Sequence, residues 1–220
     1  MQSLHRFREG ALRTKTAQAN RIRGILLEFG VAIPRSHAHL KANIMEILED
    51  AQNELTDVMR AVLLEEYEYF LTLAKRVAAY DKRIQASAKN CAVSKRLMAI
   101  PGVGPLIATY LYCCIGDASA YKNGRAFSAV MGFTPREYST GGRQKIIGIG
   151  NRGNKYLRRI LVQGVKSAML KTANSSDRIY KWGNHLLAQQ KHKNNVTIAV
   201  ANKILRTALS MVKHKTVYGY

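Results

Sequence analysis

The chain has 220 residues, with 35 Lys and Arg against 14 Asp and Glu and a sequence pI near 10.2. That is enough for one ordinary domain or two small ones, and too long for a disulfide miniprotein. With 47% hydrophobic residues, 4 prolines and no low-complexity tract it should bury a core, which excludes a disordered basic tail. A formal charge of +21 exceeds what solubility needs, so nucleic acid leads as a partner and an anionic membrane surface comes second.

In chain order almost everything reads as helix. Residues 3–29 place Leu4, Phe7, Ala11, Ile22, Ile25 and Phe29 at helical spacing, interrupted on the same face by Lys15 and Gln18, and Gly30 and Pro34 supply the stop. A shorter helix is expected over about 37–50. From Asn53 to Ala88 there is no Gly or Pro, and Met59, Leu63, Glu66, Phe70, Leu73, Val77, Tyr80 and Ile84 alternate four and three apart. That spacing is a coiled-coil seam, expected to join two protomers through the 53–88 helix; a long helix packed within its own domain is the competing reading. Glu65, Glu66 and Glu68 read as a solvated face.

After Cys91 the character changes. Residues 94–116 read as helix, an Ile-Pro-Gly-Val-Gly-Pro turn, and a second helix through Leu106 to Ile115. Residues 102–153 hold ten of the 16 glycines, which predicts irregular backbone with a short strand or hairpin at Gln144–Ile149. Helices follow at about 154–172, 176–190 and 194–213. The expected class is therefore all-α. Residues 1–90 form a helical linker and dimerisation region, and 91–220 a DNA-binding domain with a helix-hairpin-helix element and a Gly-rich loop. Charge divides the same way: residues 1–99 carry 16 basic and 11 acidic side chains, residues 100–220 carry 19 and 3.

Apolar runs such as Ile100–Ile115 are broken by Gly and Pro and fall short of the roughly 20 residues of a membrane span. The opening MQSLHRFREGALRTK is charged where a signal peptide needs an apolar core, so a cytoplasmic protein is expected. Cys91, Cys113 and Cys114 read as small buried hydrophobes, and His37-Ala38-His39 is too little for a metal site. No metal site and no cofactor are expected in this chain.

Two motifs carry chemistry. In Ile100-Pro101-Gly102-Val103-Gly104-Pro105, two glycines around an apolar plug let a turn offer bare amides at a helix start, a phosphate clamp at Gly102, Val103 and Gly104. A plain helix-helix turn with Gly for close packing is the alternative. In Gly132 to Arg159, Ser139 and Thr140 precede Gly141-Gly142, and Arg143, Lys145, Arg152, Asn154, Lys155 and Arg158 can gather around a phosphate. An accessible hydroxyl beside such cations could attack a phosphodiester; Ser/Thr-Gly-Gly also makes ordinary turns.

The order IPGVGPLIAT, GDASAYKNGRAFSAVMGFTPREYSTGG, GNRGNKYLRRILVQGVKSAM and TIAVANKILR resembles the C-terminal transposase domain of the DEDD insertion-sequence transposases, relatives of the Piv/MooV invertases. The opening LHRFREGALRTKTAQANRIRGILLEFG resembles the helical stretch after their catalytic N-terminal domain. The resemblance implies DNA recombination by a RuvC-like, metal-binding domain of four acidic residues, a C-terminal serine that links covalently to DNA, and a structured guide RNA. The serine maps to Ser139, with Thr140 the alternative. Asp117, Glu137 and Asp177 are the carboxylates of the second half, so no four-acid site can be built there, and divalent metal is expected in a RuvC-like domain that this chain lacks. The expected function is thus the DNA-binding part of a truncated transposase, inactive by itself, with double-stranded DNA as partner and no base evident for Ser139. The competing readings are a stand-alone nucleic-acid-binding protein without catalysis and a regulator acting through the 53–88 helix.

Overall fold

A computed structural model describes residues 1–143, 146–171 and 177–219. Its described residues form an all-α fold with one two-stranded ribbon: α1 Gln2–Glu28, α2 His37–Glu49, α3 Asp57–Asn90, α4 Ala92–Leu97, α5 Pro105–Ile115, α6 Gly124–Val130, β1 Pro135–Glu137, β2 Ile146–Ile149, α7 Lys155–Lys171, α8 Arg178–Ala188 and α9 Lys193–Lys213. The chain divides into two compact units, Gln2–Arg83 and Ile84–Tyr220. Among the described residues no helix is long and apolar enough to cross a membrane.

In the first unit α1 and α3 run antiparallel. Arg8 Nε donates to Asp81 Oδ1 at 2.5 Å, and Gln18 Nε2 donates to the Glu66 carbonyl at 3.0 Å and to the Glu66 carboxylate. Around the Gln18 tie, Ala19, Ile22 and Leu26 of α1, Leu40 and Ile44 of α2, and Leu63, Tyr67 and Phe70 of α3 form one apolar cluster. The buried stripe of α1 passes through His5 and Gln18, whereas Phe7, expected on the buried face, stands 63% exposed. His5 packs as the neutral ring, because burial and the Arg8 charge push its imidazole down to about 4. Asn53 and Arg60 lock the turn into α3. Asn53 Nδ2 donates to the Ile47 carbonyl at 2.6 Å, and Arg60 donates to the Leu48 carbonyl at 2.7 Å and to Asn53 Oδ1 at 2.6 Å.

Leu63, Phe70, Leu73 and Val77 of the α3 seam are buried within this chain, and Leu63 and Phe70 belong to the apolar cluster above, which supports the reading of a long helix packed within its own domain. One expectation changes here. Glu66 is half-buried and tied to Gln18, with Arg21 at 3.7 Å, so it is not part of a solvated face. His37 also packs, its ring 5.7 Å from that of Phe70.

The second unit is built around α9, which buries Val196, Val200, Ile204, Leu205, Ala208 and Leu209 and packs against α4, α6, α7 and α8. Three of these helices have a local reason to start where they do. Asn123 Oδ1 accepts from Ala126 N and caps α6, Asp177 Oδ1 accepts from Ile179 N and Tyr180 N and caps α8, and the His192 ring accepts from Asn194 N at the start of α9. β1 and β2 pair antiparallel, Arg136 opposite Ile147 and Glu137 opposite Ile146, with an irregularity at Pro135/Arg136. Cys91, Cys113 and Cys114 are half-buried rather than fully buried, and burial pushes the Cys114 thiol up to about 12.

Phe70→Ala should cost about 3–5 kcal/mol of stability, as for any large core aromatic. Denaturant unfolding at several protein concentrations checks this. The loss should not vary with concentration; a loss that shrinks on dilution would return Phe70 to an interface between protomers.

Candidate nucleic-acid interface and serine ribbon

The turn from α4 to α5 is set by backbone geometry. Gly102 sits at φ +82°, in the left-handed region, and a Cβ placed there would lie 2.7 Å from the Tyr180 hydroxyl and 2.9 Å from the Gly164 carbonyl. The Tyr180 hydroxyl donates to the Pro101 carbonyl at 2.8 Å, with the phenol held well above its ordinary range by burial and the Asp177 charge. Gly102 therefore serves the packing of this turn on α7 and α8. Val103 is buried as the apolar plug, its amide donating to the Ile100 carbonyl at 3.0 Å. Gly104 is different: it caps α5 at φ −80°, and a Cβ there would meet nothing within 4 Å. Of the three residues of the turn, Gly104 is the one whose bare surface faces open space, in front of first-turn amides that have no acceptor within the helix.

The second motif folds as a ribbon and a loop. Beyond β1, Thr140 and Arg143 form a bridge with the Arg143 amide 3.2 Å from the Thr140 carbonyl, and Gly141 and Gly142 turn the chain at φ +59° and +76°. Ser139 lies exposed at this tip, and its Oγ donates to Glu137 Oε1 at 2.7 Å. Glu137 is a partner that the sequence reading did not find. Its signal was the i, i+2 spacing, since alternate residues of an extended chain share a side.

The remaining cations divide into two groups. Arg158 reaches back into the loop, where its guanidinium donates to the carbonyls of Gly150 (2.9 Å) and Arg152. Asn154 Oδ1 accepts from Leu157 N at 2.9 Å, and its Nδ2 donates to the Tyr110 hydroxyl at 3.0 Å, so it caps α7 and ties it to α5. These two side chains hold the loop in place. Gly132 at φ +79° and Gly153 at φ +85° cross so closely that a Cβ on either would strike the other strand of the crossing. Arg143, Arg152 and Lys155 stand exposed. Lys155 also lines a cleft of about 400 Å³ between α7 and α9, beside Arg159, Lys166 and Asn194. Lys145 lies outside the described residues.

Charge balance isolates one carboxylate. Asp117 accepts from the Ser119 amide at 2.9 Å and from its hydroxyl, and Asp177, 2% exposed, caps α8 and accepts from the Tyr218 hydroxyl at 2.7 Å. Glu137, exposed beside Ser139, is the third acid of this unit. Among the described residues no group of three His, Cys, Asp or Glu is placed to hold a metal ion.

Gly102→Ala should lower stability by about 2 kcal/mol or more, combining left-handed strain with the clash at Tyr180 and Gly164. Gly104→Ala should change stability by less than about 1 kcal/mol while weakening retention of duplex DNA. Thermal unfolding and electrophoretic retardation read the two effects separately. Equal stability losses at both positions would reassign Gly104 to packing.

The chain is 35% identical over 219 residues to a probable family 20 transposase of Pseudomonas aeruginosa, covering 99% of this chain and 64% of that protein. It is 33% identical over 221 residues to the transposase for insertion sequence element IS1328 of Yersinia enterocolitica, covering 100% and 64%. With the transposase for insertion sequence element IS1111A of Coxiella burnetii it shares 31% identity, over 92% and 56%. The chain thus spans less than two thirds of the length of these relatives. A match to the family model Transposase IS116/IS110/IS902 family begins within α4 and ends within α8, taking in both glycine motifs and the ribbon. Residues 94–181 of this chain are thus similar to the transposases of the IS116/IS110/IS902 family.

Proposed function

We propose that this chain is the DNA-binding, strand-joining part of a transposase, in which Ser139 attacks a DNA phosphodiester. The observation that carries the reading is the Ser139–Glu137 hydrogen bond at the exposed ribbon tip. A serine hydroxyl is a weak nucleophile unless a neighbouring base takes its proton as the bond to phosphorus forms. Glu137 is placed for that transfer. As the Ser139 Oγ–P bond forms, the bridging P–O bond breaks, the Oγ proton passes to Glu137, and the departing DNA oxygen leaves as a hydroxyl after taking up a proton from water. Arg143, across the Thr140 bridge, is an exposed cation of the ribbon that can offset charge on the phosphoryl oxygens.

The residues present do not fit a divalent metal. Asp117 and Asp177 are committed as caps, which leaves Glu137 without companions, and any metal chemistry belongs to a RuvC-like domain of the kind the resemblance implies. The partners in this reading are duplex DNA and, by the same resemblance, a structured guide RNA. The exposed Arg143, Arg152 and Lys155 and the amides beyond Gly104 bind phosphates rather than base edges, so affinity should fall steeply with salt and depend little on sequence.

A duplex with a bridging phosphorothiolate, which traps the attack, should form a covalent adduct with the chain when a RuvC-like domain is supplied in trans. Ser139→Ala should abolish the adduct and leave DNA affinity within about 1 kcal/mol. Glu137→Gln should slow adduct formation by about 10²-fold or more with unchanged DNA retention. Loss at Thr140→Ala but not at Ser139→Ala would move the nucleophile by one residue, and an adduct that survives both changes would overturn the serine reading.

A further inference from the structure

A second concave site lies away from the ribbon tip. α8, α9 and the segment 216–219 enclose a cavity of about 440 Å³. Arg178 enters it from the start of α8, and Lys203, Arg206, Thr207 and Ser210 enter from α9. The spacing of these four α9 residues, at three, four and seven from Lys203, is that of one helix face. An apolar wall of Ile179, Met211 and Val217 completes the cavity.

The three cations sense one another. Lys203 is held below the usual lysine range by burial first and then by the charges of Arg178 and Arg206, and its ammonium lies 4.2 Å from the centroid of the Trp182 ring. No described carboxylate forms an ion pair with any of the three. Asp177, next to Arg178 in sequence, directs its oxygens to the α8 amides and to the Tyr218 hydroxyl. Like charges gathered in a cavity repel, and this cost is relieved when an anion enters. Guanidinium groups match phosphate oxygens in pairs, an ammonium adds a point charge, and two hydroxyls can donate to what remains.

We propose that this cavity binds a phosphate group of a nucleic-acid strand, held by Arg178, Lys203 and Arg206 with Thr207 and Ser210 as hydroxyl donors. The volume is several times that of one phosphate, and the apolar wall beside the cations suits the sugar and base attached to it; both favour a strand over a free ion. The identification of the strand rests on the DNA-binding reading above. The phosphate site itself does not, since it stands on the cavity and its charges.

Two measurements test it on the full chain. In the first, an amine-acylating reagent labels Lys203, read by peptide mass spectrometry against exposed Lys191, in buffer alone, with duplex DNA, and with inorganic phosphate at the same phosphate concentration. DNA should slow labelling at Lys203 several-fold more than at Lys191, and inorganic phosphate should do so far less. Equal protection by inorganic phosphate would overturn the strand as the source, and protection by neither would overturn the site. In the second, Lys203→Gln with Arg206→Gln should reduce the log–log salt slope of DNA binding by about 1. Lys82→Gln with Arg83→Gln, on α3, should leave the slope in place. An equal change in both variants would mean that net charge alone is read and would overturn the site. DNA retention by the wild-type chain in the same gels reports the DNA-binding reading by itself, so its failure is distinguishable from failure of the cavity.

Discussion

The second unit depends on two places where backbone meets backbone with no room for a Cβ. At the first, Gly102 of the α4–α5 turn lies against Gly164 in the middle of α7. At the second, Gly132 after α6 meets Gly153 just before α7. α7 is thereby fixed at both its middle and its start, and the turn, the ribbon and the loop that holds Arg152 are all placed from it. Dispersion contacts and buried carbonyls at such crossings reward close approach and tolerate no added methyl. The Tyr180 hydroxyl then fastens the first crossing through Pro101, and the Arg158 guanidinium fastens the second through the Gly150 and Arg152 carbonyls.

This scaffold separates side chains that hold the fold from those left exposed. Asn154 and Arg158 look alike in sequence to Arg152 and Lys155, yet the first pair is consumed by capping and loop closure and the second pair faces outward. The acids divide similarly. Asp117 and Asp177 are bound to amides, while Glu137 meets the Ser139 hydroxyl. A unit with three carboxylates cannot neutralise its cations from within, and a polyanion is the kind of ligand such a surface suits.

The helices were legible because their apolar spacing and stop signals are local: α1, α2, α7, α8 and α9 fall within a few residues of where periodicity placed them. The short strand or hairpin expected at Gln144–Ile149 was legible from glycine density and is met by β2 at Ile146–Ile149, Gln144 lying outside the described residues, but its partner strand at Pro135–Glu137 was not legible, because three residues show no alternation. The seam of α3 was legible as a covered face, but not what covers it. A heptad pattern specifies that a face is covered and says nothing about whether α1 or a second protomer covers it. Likewise two glycines in a turn announce a close approach without telling phosphate from helix. Gly102 approaches α7, and Gly104 alone is left open. Glu137 was visible as a residue but not as a base, since that role needs the extended backbone that brings it beside Ser139.

Gly164 gives the sharpest test of the crossings. In the interior of an ordinary helix, Gly→Ala stabilises by about 1 kcal/mol. Here a Cβ on Gly164 would run into the Gly102 carbonyl and come within 2.6 Å of Ile107 Cδ1. Denaturant unfolding of Gly164→Ala should therefore show a loss of about 2 kcal/mol or more, opposite in sign to the helix propensity. A stability equal to or above that of the unchanged chain would contradict the claim that the backbone crossing at α7 holds this unit together.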